Sequence, residues 1–100
     1  MPRMAEPNSP ARLRLHALLS GRVQGVGMRM TVASLAPRYH LVGWVRNLPD
    51  GRVELLAEGP EAQLDAFLAR LHEVMPGYIR QLQETRGNAQ GGLGRFEIRY

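Results

Sequence analysis

Residues 21–47 read GRVQGVGMRMTVASLAPRYHLVGWVRN. Three glycines, Gly21, Gly25 and Gly27, crowd the first seven positions, a density that suits a loop and no regular element. Met28, Val32, Leu35 and Tyr39 then recur at helical spacing. Pro37 ends or kinks that helix near Ala36, because proline lacks an N–H and restricts the residue before it. His40 leads into a strand from Leu41 to Leu48. On the N-terminal side, Ala11, Leu13, Leu15, Ala17 and Leu19 alternate with Arg12, Arg14 and His16, the pattern of a half-buried strand. Strand, glycine loop, helix and strand make one crossover unit, and such units are right-handed.

The second half of the chain repeats the plan. Leu48-Pro49-Asp50-Gly51 reads as a tight turn, with Pro presetting one dihedral and Gly accepting positive φ. Arg52 to Glu58 alternates as a third strand with Val53, Leu55 and Ala57 inward. Gly59-Pro60-Glu61 opens a second helix, proline in its first turn and glutamate near the positive end. Leu64, Phe67, Leu68, Leu71 and Met75 form its apolar stripe, and Pro76-Gly77 stops it. Tyr78 to Thr85 is a fourth strand, Arg86 to Gly94 a mobile glycine-rich loop, and Arg95 to Tyr100 a short last strand. The order β-α-β-β-α-β plus a terminal strand predicts a ferredoxin-like α+β domain, with two helices on one face of a mostly antiparallel sheet. In that topology strands one and two are parallel with strand three between them. Their C-terminal ends then lie about 10 Å apart at one edge, given strand spacing near 4.8 Å. Parity puts Asn47 on the face of Val45, and Trp44 with Arg46 on the other.

One hundred residues, 44% hydrophobic and 22% charged, fit one ordinary globular domain. The proline-rich residues 1–10 lack periodicity and are expected to be a disordered lead, leaving residues 11–100 as the domain. There is no cysteine, which excludes disulfides, thiolate metal sites and cysteine nucleophiles. No apolar run approaches a membrane span, and the N-terminus has no apolar signal core. A cytoplasmic location is the resulting expectation. The net charge is +4, and all 13 basic residues are arginine. Arginine suits phosphate, and a mild positive field speeds encounter with an anion. An all-arginine composition also follows from codon bias in a GC-rich genome.

The chemistry-bearing residues lie in the opening stretch. Gly21, Gly25 and Gly27 run into a helix at Met28, so successive backbone N–H groups of the loop can converge on an anion. Arg29, in the helix's first turn, can reach the same anion with a two-pronged fork. The spacing alone does not separate this nest from an ordinary strand-to-helix turn, and it is neither a Walker loop nor a dinucleotide fingerprint. Arg29 and Asn47 are poor proton shuttles and poor metal ligands. A site built on them would hold a phosphoryl group and position water, with little acid–base chemistry.

Gly21-Arg22-Val23-Gln24-Gly25-Val26-Gly27-Met28-Arg29 and Gly43-Trp44-Val45-Arg46-Asn47 together resemble the acylphosphatases. That family carries a GRVQGVxFR loop and a GWV(R/K)N strand at this spacing. The turn Leu48-Pro49-Asp50-Gly51, the step Ala57-Glu58-Gly59-Pro60 and the end Phe96-Glu97-Ile98-Arg99-Tyr100 extend the likeness over about residues 12–100. The resemblance implies hydrolysis of an acyl phosphate to a carboxylate and orthophosphate, with no cofactor and no metal. It implies that Arg29 and the loop N–H groups of Val23, Gln24, Gly25, Val26, Gly27 and Met28 bind the phosphoryl group and that Asn47 positions the attacking water. It further implies a monomer with phosphate as product and inhibitor, and no nucleic acid or membrane partner. Met28 replaces the family's usual phenylalanine, a core exchange. Pro37 falls inside the family's first helix, His40 stands where glycine is common, and Leu48 replaces a threonine found in some members.

Other residues read more plainly. His16, His40 and His72 have no metal-ligand spacing and suit surface or helix-boundary positions. Arg12, Arg14, Arg46 and Trp44 collect on the open sheet face, where ferredoxin-like folds can bind nucleic acid. The aromatic platforms such binding needs are mostly missing, and Glu54 and Glu58 are placed to pair with those arginines. The rivals to an enzyme are a phosphate- or nucleic-acid-binding module without turnover, and a regulatory domain of the same fold.

Overall fold

The computed structural model describes residues 11–100, and the expectation for residues 1–10 lies outside them. The alternation read from the sequence becomes a layered structure. Leu15, Ala17 and Leu19 of β1 (Arg12–Gly21) have no exposed surface, nor have Val53, Leu55 and Ala57 of β3 (Val53–Pro60). The intervening residues of both strands turn to the open face. Val45 of β2 (Val42–Asn47) completes the inner row. Onto it pack Met28, Val32 and Leu35 of α1 (Met28–Leu35) and Leu64, Phe67, Leu68 and Leu71 of α2 (Glu61–Val74). Tyr39 meets Phe67 edge to face, with ring centroids 6.3 Å apart.

The sheet has five strands in the order β4-β1-β3-β2-β5, with β4 at Ile79–Asn88 and β5 at Glu97–Arg99. The pairs β1–β3, β1–β4 and β2–β3 are antiparallel, and β5 runs parallel to β2. Two helices on one face of this sheet make the ferredoxin-like α+β fold. β3 lies between β1 and β2, so the loop after β1 and the end of β2 meet at one edge.

Two glycines fix close backbone approaches. Gly43 has φ 145°, and a Cβ there would run into the Leu56 carbonyl across the β2–β3 pair. Gly21 has φ 124° and sits against the Tyr78 carbonyl and the Arg80 backbone. Neither position accepts a side chain without moving a strand.

Three local expectations change. First, α1 stops at Leu35, and Ala36–Tyr39 continue as one turn of 3-10 helix with Pro37 near its start. Proline's lost N–H costs nothing at the start of a new turn. His40 closes that turn in the left-handed region, φ 59°, its N–H donating to the Ala36 and Pro37 carbonyls. Second, β4 runs to Asn88 and not to Thr85. Leu15, Arg14 and Leu13 pair with Arg86, Gly87 and Asn88, so the ladder to β1 overrides the loop character of Gly87. Third, β5 is shorter than residues 95–100. The glycine-rich segment before it is tethered. Buried Glu58 accepts from the Gln90 and Gly91 N–H groups at 2.9 and 3.0 Å and from Arg14 Nε at 2.5 Å. Burial pushes the Glu58 carboxyl up, but the Gln90, Arg14 and Gly91 donors outweigh it and hold it below its ordinary range.

The open face is largely charge-neutralised. Arg14 pairs with Glu58, while Arg46 and His16 share Glu54 at 2.6 and 2.7 Å. Trp44 is half-buried beside the guanidinium groups of Arg46 and Arg99, whose Cζ atoms lie 5.2 and 5.0 Å from the centre of its ring.

Candidate active site

The loop from Arg22 to Gly27 owes its path to two left-handed glycines, Gly25 at φ 75° and Gly27 at φ 80°. Any other residue type is strained there. Gly27 caps α1 with backbone alone; no side chain bonds the helix end and no acidic residue lies in its first turn. The Thr31 N–H and hydroxyl both donate to the Gly27 carbonyl at 2.9 Å. The N–H groups of Met28, Arg29 and Met30 have no carbonyl of their own helix to bond. They add to the positive end of the helix dipole at the loop.

A pocket of about 150 Å³ opens at this point, lined by Val23, Gly25, Gly27, Met28, Arg29, Met30 and Asn47. Its volume suits a phosphoryl group with a water beside it, a water's share of liquid being about 30 Å³. Arg29 and Asn47, 18 positions apart in sequence, come from different elements to the same pocket. Among the described residues no carboxylate pairs with Arg29, whereas Arg14, Arg46, Arg52 and Arg86 each have a carboxylate partner. The Arg29 Cζ lies 4.9 Å from the centre of the Tyr100 ring. Asn47 contributes the one buried side-chain polar atom without a partner among the described residues, its Oδ1. A buried acceptor without a donor costs about 1–3 kcal/mol.

The eight residues singled out from sequence do different things here. Arg29, Asn47, Gly25 and Gly27 face the pocket, and Val23 and Met28 back it while their side chains fill the core at 1% exposure each. Val26 packs against the core, outside the pocket lining. Gln24 turns away altogether. Its Nε2 donates to the Leu48 and Arg52 carbonyls at 2.8 and 2.9 Å. The loop is thereby clipped to the turn that follows Asn47, and the two walls of the pocket are held in register. Sequence reading assigned Gln24 only a backbone N–H, because a glutamine's partner across 24 or more positions leaves no local pattern. Met30 was missed as a lining residue. The available signal was a large apolar side chain on the solvent side of α1, next to Arg29, where packing does not require one.

No group of three or more His, Asp or Glu among the described residues is placed to hold a metal ion. The three histidines stand apart from the pocket lining. No helix among the described residues is long and apolar enough to cross a membrane.

Comparison with known proteins places the chain by family and fold. The family model described as acylphosphatase matches residues 15–98. An acylphosphatase of Acaryochloris marina is 52% identical over 89 residues, covering 89% of this chain and 96% of its own. One of a Synechococcus species is 43% identical over 88 residues, covering 88% and 94%. The crystal structure of acylphosphatase from Bacillus subtilis superposes with a TM-score of 0.81 at 39% identity, covering 88% of this chain and 99% of that one. The likeness in sequence and fold runs along nearly the whole length of these relatives, and the chain belongs to the acylphosphatase family.

Proposed function

We propose that the protein hydrolyses acyl phosphates, splitting the carboxyl–phosphate bond to a carboxylate and orthophosphate without a metal ion or cofactor. The observation that carries this reading is that Asn47, whose Oδ1 has no partner, lines one pocket with Arg29 and a glycine loop at a helix N-terminus.

The phosphoryl oxygens are held by the Arg29 fork and by N–H groups of the loop from Val23 to Met28. These charges lie where negative charge spreads in phosphoryl transfer. The Asn47 side-chain amide orients a water and aims its oxygen at phosphorus, opposite the bridging oxygen. A new P–O bond forms as the P–O bond to the acyl group breaks, and the carboxylate leaves with the electron pair. One water proton stays on the new phosphate hydroxyl, and the other passes to a phosphate oxygen or to bulk water. A carboxylate is a stable anion and needs no general acid. This accounts for a pocket without His, Asp or Glu, in which catalysis is positioning and electrostatics.

Hydrolysis of benzoyl phosphate tests the reading against a non-catalytic phosphate-binding module, which would show no turnover above the spontaneous rate. Arg29→Ala should lower kcat/KM by a factor of about 10² to 10³ and weaken phosphate inhibition. Asn47→Ala should lower kcat comparably while phosphate still inhibits within a few-fold of wild type. Near-wild-type turnover in Arg29→Ala would sink the site. Equal loss of phosphate affinity in both variants would make Asn47 a binding residue only.

A further inference from the structure

Three large apolar side chains are exposed among the described residues: Met30 at 69%, Val74 at 39% and Tyr100 at 98%. Tyr100 lies against Arg29. Met30 lines the phosphoryl pocket and also the near end of a second depression. That depression is a groove of about 320 Å³ along the outer side of α1, lined by Met30, Thr31, Ser34, Leu35, Arg38 and Val74. Val74, the last residue of α2, supplies its opposite wall. Single exposed apolar residues are ordinary on a protein surface. A depression whose exposed lining is mostly apolar, adjoining a small pocket that holds an arginine and an asparagine, has the form of a ligand site, largely apolar with a few placed polar groups.

We propose that this groove is the acyl subsite, and that the enzyme prefers acyl phosphates with an apolar chain over short ones. The inference rests on the adjoining pocket being the phosphoryl site. An acyl phosphate held there by Arg29 has to carry its acyl group out of the pocket, and Met30 is the residue common to both spaces. No acidic side chain lines the groove, so an anionic substrate meets no repulsion along it. Arg38 at the far end adds the methylenes of its stem to the apolar wall. The groove's volume lies at the lower end of the range for small-molecule sites, about 300–1,000 Å³.

The experiment is a chain-length series of acetyl, butanoyl, hexanoyl and octanoyl phosphate. Each enzymatic kcat/KM is divided by the spontaneous hydrolysis rate of the same compound. Full burial of a methylene is worth a factor of about 4, and a groove open on one side about half of that free energy, a factor of about 2. Four added methylenes from acetyl to hexanoyl should then raise kcat/KM by about 10-fold or more, mostly through KM. Val74→Asn removes apolar wall from α2, and Ser34→Trp fills the groove from α1. Each should flatten the series while leaving acetyl phosphate within about twofold, so acetyl phosphate turnover also reports that the variant is folded. A flat wild-type series with acetyl phosphate still hydrolysed would overturn the acyl subsite and leave the phosphoryl site standing. Failure to hydrolyse any acyl phosphate would overturn the function itself. A steep series unchanged by both variants would place the chain elsewhere and overturn this assignment.

Discussion

Arg29→Lys would keep the charge of the pocket and lose its fork. Lysine meets phosphate as a point charge, whereas the guanidinium offers two parallel donors in fixed geometry. The expected outcome is intermediate: turnover falls by about 10-fold or more, less than for Arg29→Ala, and phosphate inhibition weakens only modestly. Steady-state kinetics with inorganic phosphate as inhibitor measures both, and equal damage from lysine and alanine would show that charge alone contributes little. At this scale the sequence was most legible where chemistry restricts residue type. Arg29 and Asn47 stood out because nothing in a core or a turn requires them. Gln24 and Met30 were not legible in the same way. Gln24 acts through carbonyls 24 and 28 positions away, and the use of Met30 depends on what lies beside α1.

Glu58 joins three elements that no local pattern connects. It sits on β3, takes Arg14 from β1 and holds the backbone of Gln90 and Gly91 before β5. Its folded-state carboxyl lies below the ordinary range, because these donors outweigh the effect of burial. Glu54 is held low in the same direction: burial raises it, but His16 and Arg46 lower it further. A carboxyl lowered in the folded state gives stability that is complete above the unfolded value, about pH 4.3 for glutamate. That stability is lost as pH falls from there toward the folded value, because the unfolded chain binds the extra proton first. Denaturant midpoints measured from about pH 3 to 7 should therefore fall in the acid limb, starting near the ordinary carboxylate range. Glu58→Gln should lower the midpoint at neutral pH and make the limb shallower, with Glu54 and the Arg52-bonded Asp50 contributing to what remains. An unchanged limb in Glu58→Gln would remove Glu58 from the account. The elements themselves were legible wherever one face is buried, as in β1, β3 and α2. The length of β4 was not, because its last residues are strand only through their partners on β1.

For the molecule as a whole, the helix and strand periods and the two helical crossovers left one economical topology, and the fold follows it. The placement of β5 beside β2 was not specified by its own three residues. A pocket with no carboxylate or histidine in its lining has a measurable consequence. Between about pH 5 and 8 the profile of kcat/KM should be a plateau, bending only where the substrate's phosphate changes charge. Chelators should leave activity unchanged, and replacing His16, His40 and His72 together should leave the shape of the profile unchanged. A limb near pH 6.5 that vanishes with one histidine, or activity lost in a chelator and restored by a divalent ion, would require a different mechanism. The contact of Trp44 with Arg46 and Arg99 bears on how the fold comes apart. This chain has a single tryptophan, and one of these two arginines comes from β5, the shortest strand of the sheet. Its fluorescence is therefore a gauge of the sheet's border, reporting on the border before the interior. In a denaturant titration the emission of Trp44 should begin to shift before the far-ultraviolet circular dichroism does, as β5 lifts from β2 ahead of cooperative unfolding. Superimposable transitions would mean that the border and the interior melt as one unit.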